Sequence, residues 1–251
     1  MNVCEIFPSF QGEGVLAGVP QVFLRLGGCN LRCSYCDTPW ARREVDACRV
    51  YDWRGKMATI PNPLKARTLA DRIMSLWEHG MHSVSITGGE PLQQAVGLTE
   101  LLPALRGGDM PVYLETNGTL PRELDMVLEW VDWVAMDLKL PYSQGGKDYL
   151  EAQRDFLRLA SSRCLFLKVV IEEDTPAGEL ERCLRELVGE AEGVPLVLQP
   201  ASRPSARRSR NPGGGPPAIR PERAAELRRL AASLFDDVRV IPQLHRAWGI
   251  R

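Results

Sequence analysis

Short apolar runs alternate along the chain with longer segments of helical periodicity, and this alternation constrains the fold more than any other feature. Apolar runs of this length between turn residues are typical of buried strands, and the segments between them are long enough for crossover helices. Strands are predicted at 21–26, 83–87, 111–115, 132–137, 164–171, 194–199 and 237–241, and helices at 68–79, 92–106, 121–130, 147–161, 176–190 and 221–235. The sequence therefore predicts an α/β protein with parallel strands.

The number of strand and helix repeats limits how the sheet can close. A closed eightfold barrel typically has about 250 residues. Six repeats in a chain of 251 residues, 44% of them hydrophobic, fit an open or partial (β/α)6 TIM-like barrel better. We expect one domain over 1–251, with active-site residues at the carboxyl ends of the strands.

Two segments interrupt this rhythm. Residues 41–67 are too irregular for a simple helix, although scattered apolar residues indicate partial packing, so we interpret them as an insertion. Residues 203–221 combine Arg, Pro and Gly with little to bury, which predicts a flexible surface loop. Contact of its arginines with a polyanion is the less favoured reading.

Charge and targeting signals restrict the compartment and the partners. The formal net charge is -1, so no global field attracts nucleic acid or an anionic membrane. The start of the chain lacks the pattern of a signal peptide, and no apolar run approaches the ~20 residues of a spanning helix. We expect a cytoplasmic protein with no membrane contact and no direct nucleic-acid partner. Its seven cysteines then favour metal ligation or catalysis over disulfides.

Three of the cysteines, Cys29, Cys33 and Cys36, lie in a C-x3-C-x2-C loop directly after a predicted strand. Thiolates select iron-sulfur clusters, zinc or cuprous copper. A 4Fe-4S cluster normally takes four cysteines, so three leave one iron open to another ligand. A zinc site would instead need a distant fourth ligand, for which the nominees are His79, His82, Cys4, Cys48, Cys164 and Cys183. The spacing alone does not decide between these readings.

The cysteine loop, with Tyr35 before its last cysteine, resembles the signature of radical S-adenosylmethionine (SAM) enzymes. "ITGGEP" at 86–91 resembles the glycine-rich strand end with which that superfamily contacts the amino group of the cofactor. "EIFPSFQGEG" (5–14) and "GVPQVFLRLGGCNLRCSYCDT" (18–38) resemble the 7-carboxy-7-deazaguanine synthase family. The same family order continues in "LETNGT" (114–119), "MDLKLP" (136–141), "LVLQP" (196–200) and "VIPQLHRAWGI" (240–250).

This resemblance implies a lyase on a barrel of the radical SAM type. Its reaction would convert 6-carboxy-5,6,7,8-tetrahydropterin to 7-carboxy-7-deazaguanine with loss of ammonia, in the biosynthesis of 7-deazapurines such as queuosine and archaeosine precursors. A 5'-deoxyadenosyl radical would abstract hydrogen from substrate C6, and the hydrogen would return after ring contraction, so SAM would be regenerated. A flavodoxin or ferredoxin would supply the electron, and a homodimer is expected.

The resemblance also assigns the cofactor residues. Cys29, Cys33 and Cys36 would ligate three irons of a 4Fe-4S cluster, and the fourth iron would bind SAM. Contacts to SAM are expected from Tyr35, Cys36, Asp37, Gly89, Asp137, Leu138, Lys139, Gln199, Pro200 and Ser202. Without the resemblance, Asp137 and Lys139 would be read as a surface ion pair.

The substrate is flat, with donors and acceptors along one edge and one carboxylate. Contacts to it are expected from Phe10, Gln11, Gly12, Glu13, Arg25, Thr87, Glu115, His245 and Arg251, the last through its terminal carboxylate. The resemblance further places Mg2+ on the hydroxyl of Thr38, an oxygen ligand of the kind that magnesium prefers.

The residues alone allow plainer readings, in which Glu13 belongs to a turn, Arg25 braces the cysteine loop and the tail is an ordinary docking segment. Two rival functions also stay open. A glycyl-radical-enzyme activase shares the cysteine loop but would act on a protein. A zinc-binding module, with the arginine-rich loop on RNA, would need no cofactor.

Overall fold

The computed structural model describes residues 1–202 and 219–250. Its strands are β1 (Val3–Phe10), β2 (Pro20–Leu26), β3 (Ala47–Tyr51), β4 (Met57–Pro61), β5 (Ser83–Gly88), β6 (Val112–Thr116), β7 (Trp133–Asp137), β8 (Cys164–Ile171), β9 (Leu196–Pro200) and β10 (Val238–Val240). Its α-helices are α1 (Ala66–Leu76), α2 (Ala95–Gly107), α3 (Pro121–Asp125), α4 (Leu150–Ala160), α5 (Ala177–Leu187), α6 (Pro221–Ala231) and α7 (Leu244–Trp248). Over these ranges, none of the helices is long and apolar enough to cross a membrane.

The described strands form one open sheet in the order β10-β9-β8-β7-β6-β5-β2-β1-β3-β4. From β2 through β5 to β10 every neighbouring pair is parallel, because a helix carries the chain back after each strand. The sheet does not close, so the predicted partial (β/α)6 barrel is confirmed, and β10 adds a seventh parallel strand at its edge.

Alternation along the strands divides apolar from polar side chains. In β7, Val134 and Met136 pack into the large core beneath the helices, whereas Ala135 and Asp137 point to the concave inner face. The helices match this core: α5 buries Leu180, Leu184 and Leu187 at helical spacing. Polar residues on the inner face are therefore collected inside the barrel.

The segment 41–67 is more regular than its sequence suggested. Strands β3 and β4 form an antiparallel hairpin whose first strand pairs in parallel with β1 and so extends the sheet. This corrects the expectation of an irregular insertion. The short strands escaped notice because β4 is an exposed edge strand with no buried face to impose alternation.

Two other boundaries differ from expectation. No strand was predicted before residue 21, yet Val3–Phe10 forms β1, which pairs antiparallel with β2 and is buried along almost its whole length. The predicted loop 203–221 lies outside the described residues from 203 to 218. Its end is corrected, because Pro221 begins α6, where a proline suits the first turn of a helix.

Candidate active site

A cavity of about 620 Å³ opens at the carboxyl ends of the parallel strands. Each of five neighbouring strands contributes a polar side chain to its wall near that end: Thr87, Glu115, Asp137, Lys168 and Gln199. Loops from the first 40 residues and the C-terminal segment close the remaining sides. The cavity lies where a parallel α/β sheet places its ligands.

The three clustered cysteines line this cavity together, and all three thiols are free and partly exposed. The nominated fourth ligands lie elsewhere. Cys4, Cys48 and Cys183 are buried away from the cavity. Cys164 and His82 lie at the opposite, amino ends of β8 and β5, and His79 precedes His82. Among the described residues the site therefore offers three thiols, which favours a cluster with one open iron over a four-ligand zinc site.

Hydrogen bonds that each involve at least one backbone group hold the cysteine loop in place. The amide of Leu31 donates to Sγ of Cys29 at 3.4 Å, and the Ser34 amide donates to the Ser143 carbonyl at 3.1 Å. The guanidinium of Arg42 donates to the Cys33 carbonyl. Burial raises the pKa of the Cys29 thiol.

The two glycines of "ITGGEP" let this strand end touch the cysteine loop. A Cβ on Gly89 would lie 2.0 Å from the carbonyl oxygen of Gly28. Gly88 has φ +136°, where a side chain would also meet the backbone of Leu26. Both positions therefore require glycine, because the backbones of neighbouring segments approach closely there. The backbone of Gly89 lines the cavity.

Glu90, which follows these glycines, fastens β5 to the end of β6. Its buried carboxylate accepts from the Leu92 amide at 3.0 Å, the Thr116 hydroxyl at 2.9 Å and the Asn117 amide at 2.8 Å. Burial raises the pKa of Glu90 to about 7, against these hydrogen bonds, which lower it.

Asn117 extends this connection to the cysteine loop. Its side-chain amide donates to Oδ1 of Asn30 at 2.9 Å, and Asn30 in turn donates to the Thr119 hydroxyl at 2.8 Å. The loop that carries the thiols is thereby tied to β6 as well as to β5.

Gln11 and Glu115 form the centre of the predicted substrate side. Glu115 accepts from Nε2 of Gln11 and from the Thr87 hydroxyl, both at 2.8 Å. Nε2 of Gln11 also donates to Gln21 at 3.0 Å, and its Oε1 accepts from the Glu13 amide at 3.0 Å. These partners occupy the side-chain amide of Gln11. Gln11 therefore stabilises the loop 11–13 and leaves few free hydrogen-bonding groups for a ligand.

A chain of charges crosses the cavity floor. Lys168 contacts Glu13 on one side and Oδ2 of Asp137, at 3.2 Å, on the other. Lys139 lies 2.8 Å from the same Asp137 oxygen and 5.2 Å from the Tyr35 ring centroid. The expected pair of Asp137 and Lys139 thus exists, but inside the cavity rather than on the surface.

These contacts determine the charge states. Burial alone would raise the pKa of Glu13 and lower that of Lys168, but their mutual attraction wins, placing the pKa of Glu13 at about 2 and that of Lys168 well above its usual value. Lys139 is held charged in the same way by Asp137. Burial raises the pKa of Tyr35 to about 12.

Two buried acceptors on this wall have no partner: Oδ1 of Asp137 and Oε1 of Gln199. An unpaired buried acceptor is costly, so its presence calls for an explanation. Both residues line the same cavity as the three thiols, where the hydroxyl and amino groups of SAM would supply the missing donors. The residues present therefore fit the cluster and SAM.

The C-terminal segment covers the cavity. The Leu244 amide donates to the Gly12 carbonyl at 2.8 Å, and Nε2 of Gln243 donates to Glu13 at 2.8 Å and to Asp37 at 3.1 Å. His245 packs so closely that a Cβ on Gly12 would lie 2.3 Å from its Nδ1. Arg251 lies outside the described residues, so the expected contact of its carboxylate stays a prediction.

Asp37 faces this segment from the cysteine loop. Nε2 of His245 lies 3.8 Å and the Arg246 guanidinium 3.5 Å from its Oδ2. Burial would raise the pKa of Asp37, but these partners lower it below its usual range. Thr38 beside it also lines the cavity.

Arg25 lines the cavity and pairs with a carboxylate of β1. Its Nε lies 3.0 Å from Oε1 of Glu5 while its side chain lines the cavity. Its guanidinium also lies 5.6 Å from the Phe7 ring centroid. Glu5, a partner that was not predicted from the sequence, therefore fixes the orientation of Arg25.

Of the predicted site residues that the structure describes, most line the cavity, but three do not. Phe10, Leu138 and Pro200 are absent from its lining. The ring of Phe10 packs instead against Trp53 and Trp248, and Leu138 is fully buried in the core. For Phe10 the expected contact was through the backbone, and the predicted ligand contacts of all three residues stay predictions.

Some residues that line the cavity were not predicted from the sequence, among them Lys168, Gln243 and Arg246. Lys168 carried a detectable signal, because it is the one charge within the apolar run "CLFLKVVI". A lysine in a strand that is otherwise buried needs a partner. Gln243 and Arg246 lie within the family motif at 240–250, but their contacts with Asp37 depend on tertiary packing.

Comparisons with known proteins agree with this geometry. The family model of the radical SAM superfamily matches residues 24–161. A 7-carboxy-7-deazaguanine synthase of Geobacter sulfurreducens is 41% identical over 98% of this chain and 96% of the relative. One of Methanothermobacter thermautotrophicus is 35% identical over 99% of this chain and 97% of the relative. The crystal structure of QueE from Escherichia coli has a TM-score of 0.58 at 19% identity, covering 97% of this chain and 93% of that one, and supports the fold.

Proposed function

This chain belongs to the 7-carboxy-7-deazaguanine synthase family of the radical SAM superfamily, and we propose that it converts 6-carboxy-5,6,7,8-tetrahydropterin to 7-carboxy-7-deazaguanine with loss of ammonia. The observation that carries this function is one cavity that joins three free thiols, two unpaired buried acceptors and a polar substrate wall. When bound, the 4Fe-4S cluster and SAM supply the radical that abstracts hydrogen from substrate C6.

On the cofactor side, Cys29, Cys33 and Cys36 hold the cluster and leave one iron for SAM. The backbone at Gly89 and residues 35–37 flank SAM. Its polar groups contact Asp137, Lys139, Gln199 and Ser202. The unpaired Asp137 and Gln199 oxygens accept from hydroxyl or amino donors. Because those acceptors are already buried, binding SAM there gains hydrogen bonds without a new desolvation cost on the protein side.

On the substrate side, Glu13 and Glu115 accept from the pterin edge, and Thr87 offers a hydroxyl. Glu13 is well suited to this role, because Lys168 keeps it ionised. Arg25, oriented by Glu5, pairs with an anionic oxygen of the substrate. Gln11 acts by positioning Glu13 and Glu115.

Thr38 binds Mg2+ together with substrate oxygens and water in this proposal. Although Thr38 directly precedes a short helix, its side chain makes no capping hydrogen bond. Thr38 lines the cavity next to Asp37. Hard oxygen donors of this kind suit Mg2+, which keeps part of its water shell.

The tail completes the substrate site, with His245 donating to the substrate and the terminal carboxylate of Arg251 accepting from the pterin amino group. Extending the chain beyond Arg251 tests the second part. We expect a raised KM for the pterin, because the carboxylate moves away; an unchanged KM would overturn the role of the carboxylate.

The proposal extends to the molecular setting. The chain acts as a single domain and a homodimer in the cytoplasm, and a flavodoxin or ferredoxin reduces the cluster. The pathway served is that of 7-deazapurines. Gel filtration and assays with each purified reductant test these partners separately.

The decisive experiment is anaerobic reconstitution with iron and sulfide, then incubation with the tetrahydropterin, SAM, Mg2+ and dithionite. We expect 7-carboxy-7-deazaguanine by mass spectrometry, with little net loss of SAM. Accumulation of 5'-deoxyadenosine without this product would reject the substrate, and stoichiometric cleavage with a glycyl-radical partner would favour an activase. Colourless protein that holds zinc after anaerobic preparation would reject radical chemistry.

A further inference from the structure

Lys168 is a buried cation on the inner face of β8 for which folding alone provides little reason. The exposed fraction of its side chain is 13%, and the neighbouring inward residues on this strand are Phe166 and Val170. Burying an ammonium with two carboxylates is rarely more stabilising than burying an apolar side chain of similar size. A lysine at this position therefore points to a role beyond stability.

The position of Lys168 is unusual because it joins two walls of the cavity. Asp137 is its register partner on β7, whereas Glu13 lies 155 residues away in the loop after β1. Glu13 belongs to the substrate side and Asp137 to the cofactor side in the proposed function. Among the described contacts, the Lys168 ammonium is the group that touches both carboxylates.

We propose that Lys168 is a positioning residue that couples the two ligands: by holding Glu13 and Asp137 on one ammonium, it makes binding of SAM strengthen binding of the pterin. This inference rests on the proposed function and adds to it a thermodynamic link between the two sites.

The physical reason lies in ordering. A lysine side chain has many rotamers, and a ligand that fixes one carboxylate fixes the ammonium and so restricts the other carboxylate. SAM, by donating to the unpaired Oδ1 of Asp137, immobilises that carboxylate and leaves its Oδ2 on Lys168. Glu13 is then already placed when the pterin arrives, so the second ligand loses less conformational entropy on binding.

The surrounding charges are consistent with a shared cation. Glu13 also accepts from Gln243 at 2.8 Å and lies within 4.8 Å of a His245 ring nitrogen, and Asp137 has Lys139 at 2.8 Å. Glu115 also attracts Lys168 from β6. Lys139 contacts Asp137 but has no contact with Glu13 among the described residues, so it provides a matched lysine that shares the cofactor carboxylate without forming the link.

The test measures binding in the reconstituted holoenzyme without reductant, so that no turnover occurs. The fluorescent pterin-6-carboxylate is titrated anaerobically in the absence and presence of saturating SAM, and the ratio of the two Kd values is the coupling. In the unsubstituted protein we expect SAM to tighten pterin binding about fivefold or more. In Lys168→Met, which keeps the length and removes the charge, the ratio should fall to about one.

Two further variants separate the link from simple loss of a charge. Glu13→Gln breaks the same link from its other end, so its ratio should also fall to about one, and the double variant should show no further change. Lys139→Met should need more SAM for saturation while the ratio remains. Cluster absorbance and thermal unfolding check that each variant is folded. If Lys168→Met does not fold, the ratio measured with Glu13→Gln decides the test.

The outcomes are distinguishable from failure of the proposed function. If the unsubstituted holoenzyme binds no pterin, the proposed function and this inference both fall. If it binds both ligands but shows a ratio of one, or if Lys168→Met keeps the full ratio, the role of Lys168 is overturned while the function stands.

Discussion

At the scale of single residues, the site distinguishes side chains that look equivalent in the sequence. Seven cysteines are present, but only Cys29, Cys33 and Cys36 combine exposure with a place in the cavity. Cys164 is exposed at the opposite end of the sheet, and the others are buried. Location in the fold, not the thiol group itself, therefore distinguishes the three proposed ligands from the other four cysteines.

Substitution of one cavity cysteine should distinguish the three cavity cysteines from the other four. We expect Cys36→Ser to hold much less iron and sulfide after reconstitution, because hydroxyl oxygen is a poor ligand for iron in such clusters. Cys164→Ser, a control at an exposed cysteine, should match the unsubstituted protein. Iron analysis and visible absorbance provide the measurement, and equal iron in both variants would contradict the assignment.

The ion pair of Glu13 and Lys168 predicts a pH dependence of stability. The pKa of Glu13 is lowered from 4.5 to about 2 in the folded protein, so its contribution is present above pH ~4.5 and is lost as the pH falls through about 2. The shift corresponds to on the order of 3 kcal/mol. Glu13→Gln should therefore lower the free energy of unfolding clearly at pH 7 and much less near pH 3, as measured by urea denaturation. A pH-independent difference would contradict the depressed pKa.

At the scale of elements, the ends of β5 and β6 act as a support for the cysteine loop. Gly88 and Gly89 allow the backbones to touch, and Glu90, Asn117 and Asn30 fasten the contact with hydrogen bonds. The two glycines of "ITGGEP" therefore matter in two ways. Gly88 and Gly89 line the cavity, and their lack of side chains lets neighbouring backbones approach.

Gly89→Ala tests this support. A Cβ at 2.0 Å from the Gly28 carbonyl cannot be accommodated unless the cysteine loop moves, so we expect reduced cluster incorporation and weaker SAM binding. Gly178→Ala on α5 is the matched control, because its Cβ would meet nothing within 4 Å. That change should leave cluster content unaltered and stabilise the helix by about 0.5–1 kcal/mol. Normal cluster content in both variants would remove the steric argument.

At the scale of the whole molecule, a buried polar chain runs along the inside of the barrel. His82, at the amino end of β5, lies 2.9 Å from the Ser83 hydroxyl, which accepts from Gln21 at 2.8 Å. Gln21 accepts from Gln11, which reaches Glu115 at the carboxyl end. Hydrogen bonds thus link the amino end of β5 to Glu115 near the carboxyl end of β6.

Gln21→Leu should interrupt this chain. We expect a loss of about 1–3 kcal/mol in the free energy of unfolding, because the Gln11 and Ser83 groups lose a buried partner. The KM for the pterin should also rise, since Gln11 positions Glu13 and Glu115. Ser75→Ala, which removes an exposed hydroxyl bonded within α1, is the control for loss of a single hydrogen bond. Equal effects of the two variants would contradict a buried relay.

The sequence by itself determined the βα alternation, the cysteine loop, the glycine pair and the family motifs, because each depends on short-range spacing and residue type. The parallel strands were predicted within a few residues for the same reason. A local sequence pattern is sufficient for prediction where the period of a helix or strand, or the geometry of a turn, determines the residue type.

Only the tertiary structure decided the remaining features. The hairpin β3–β4 and strand β1 gain their pairing from neighbours far along the chain, and the docking of the tail on Asp37 depends on contacts that span over 200 residues. The charge state of Glu13 depends on Lys168, which the sequence separates by 155 positions. Electrostatic and packing energies act through space, so a linear pattern does not encode which charges will meet in the cavity.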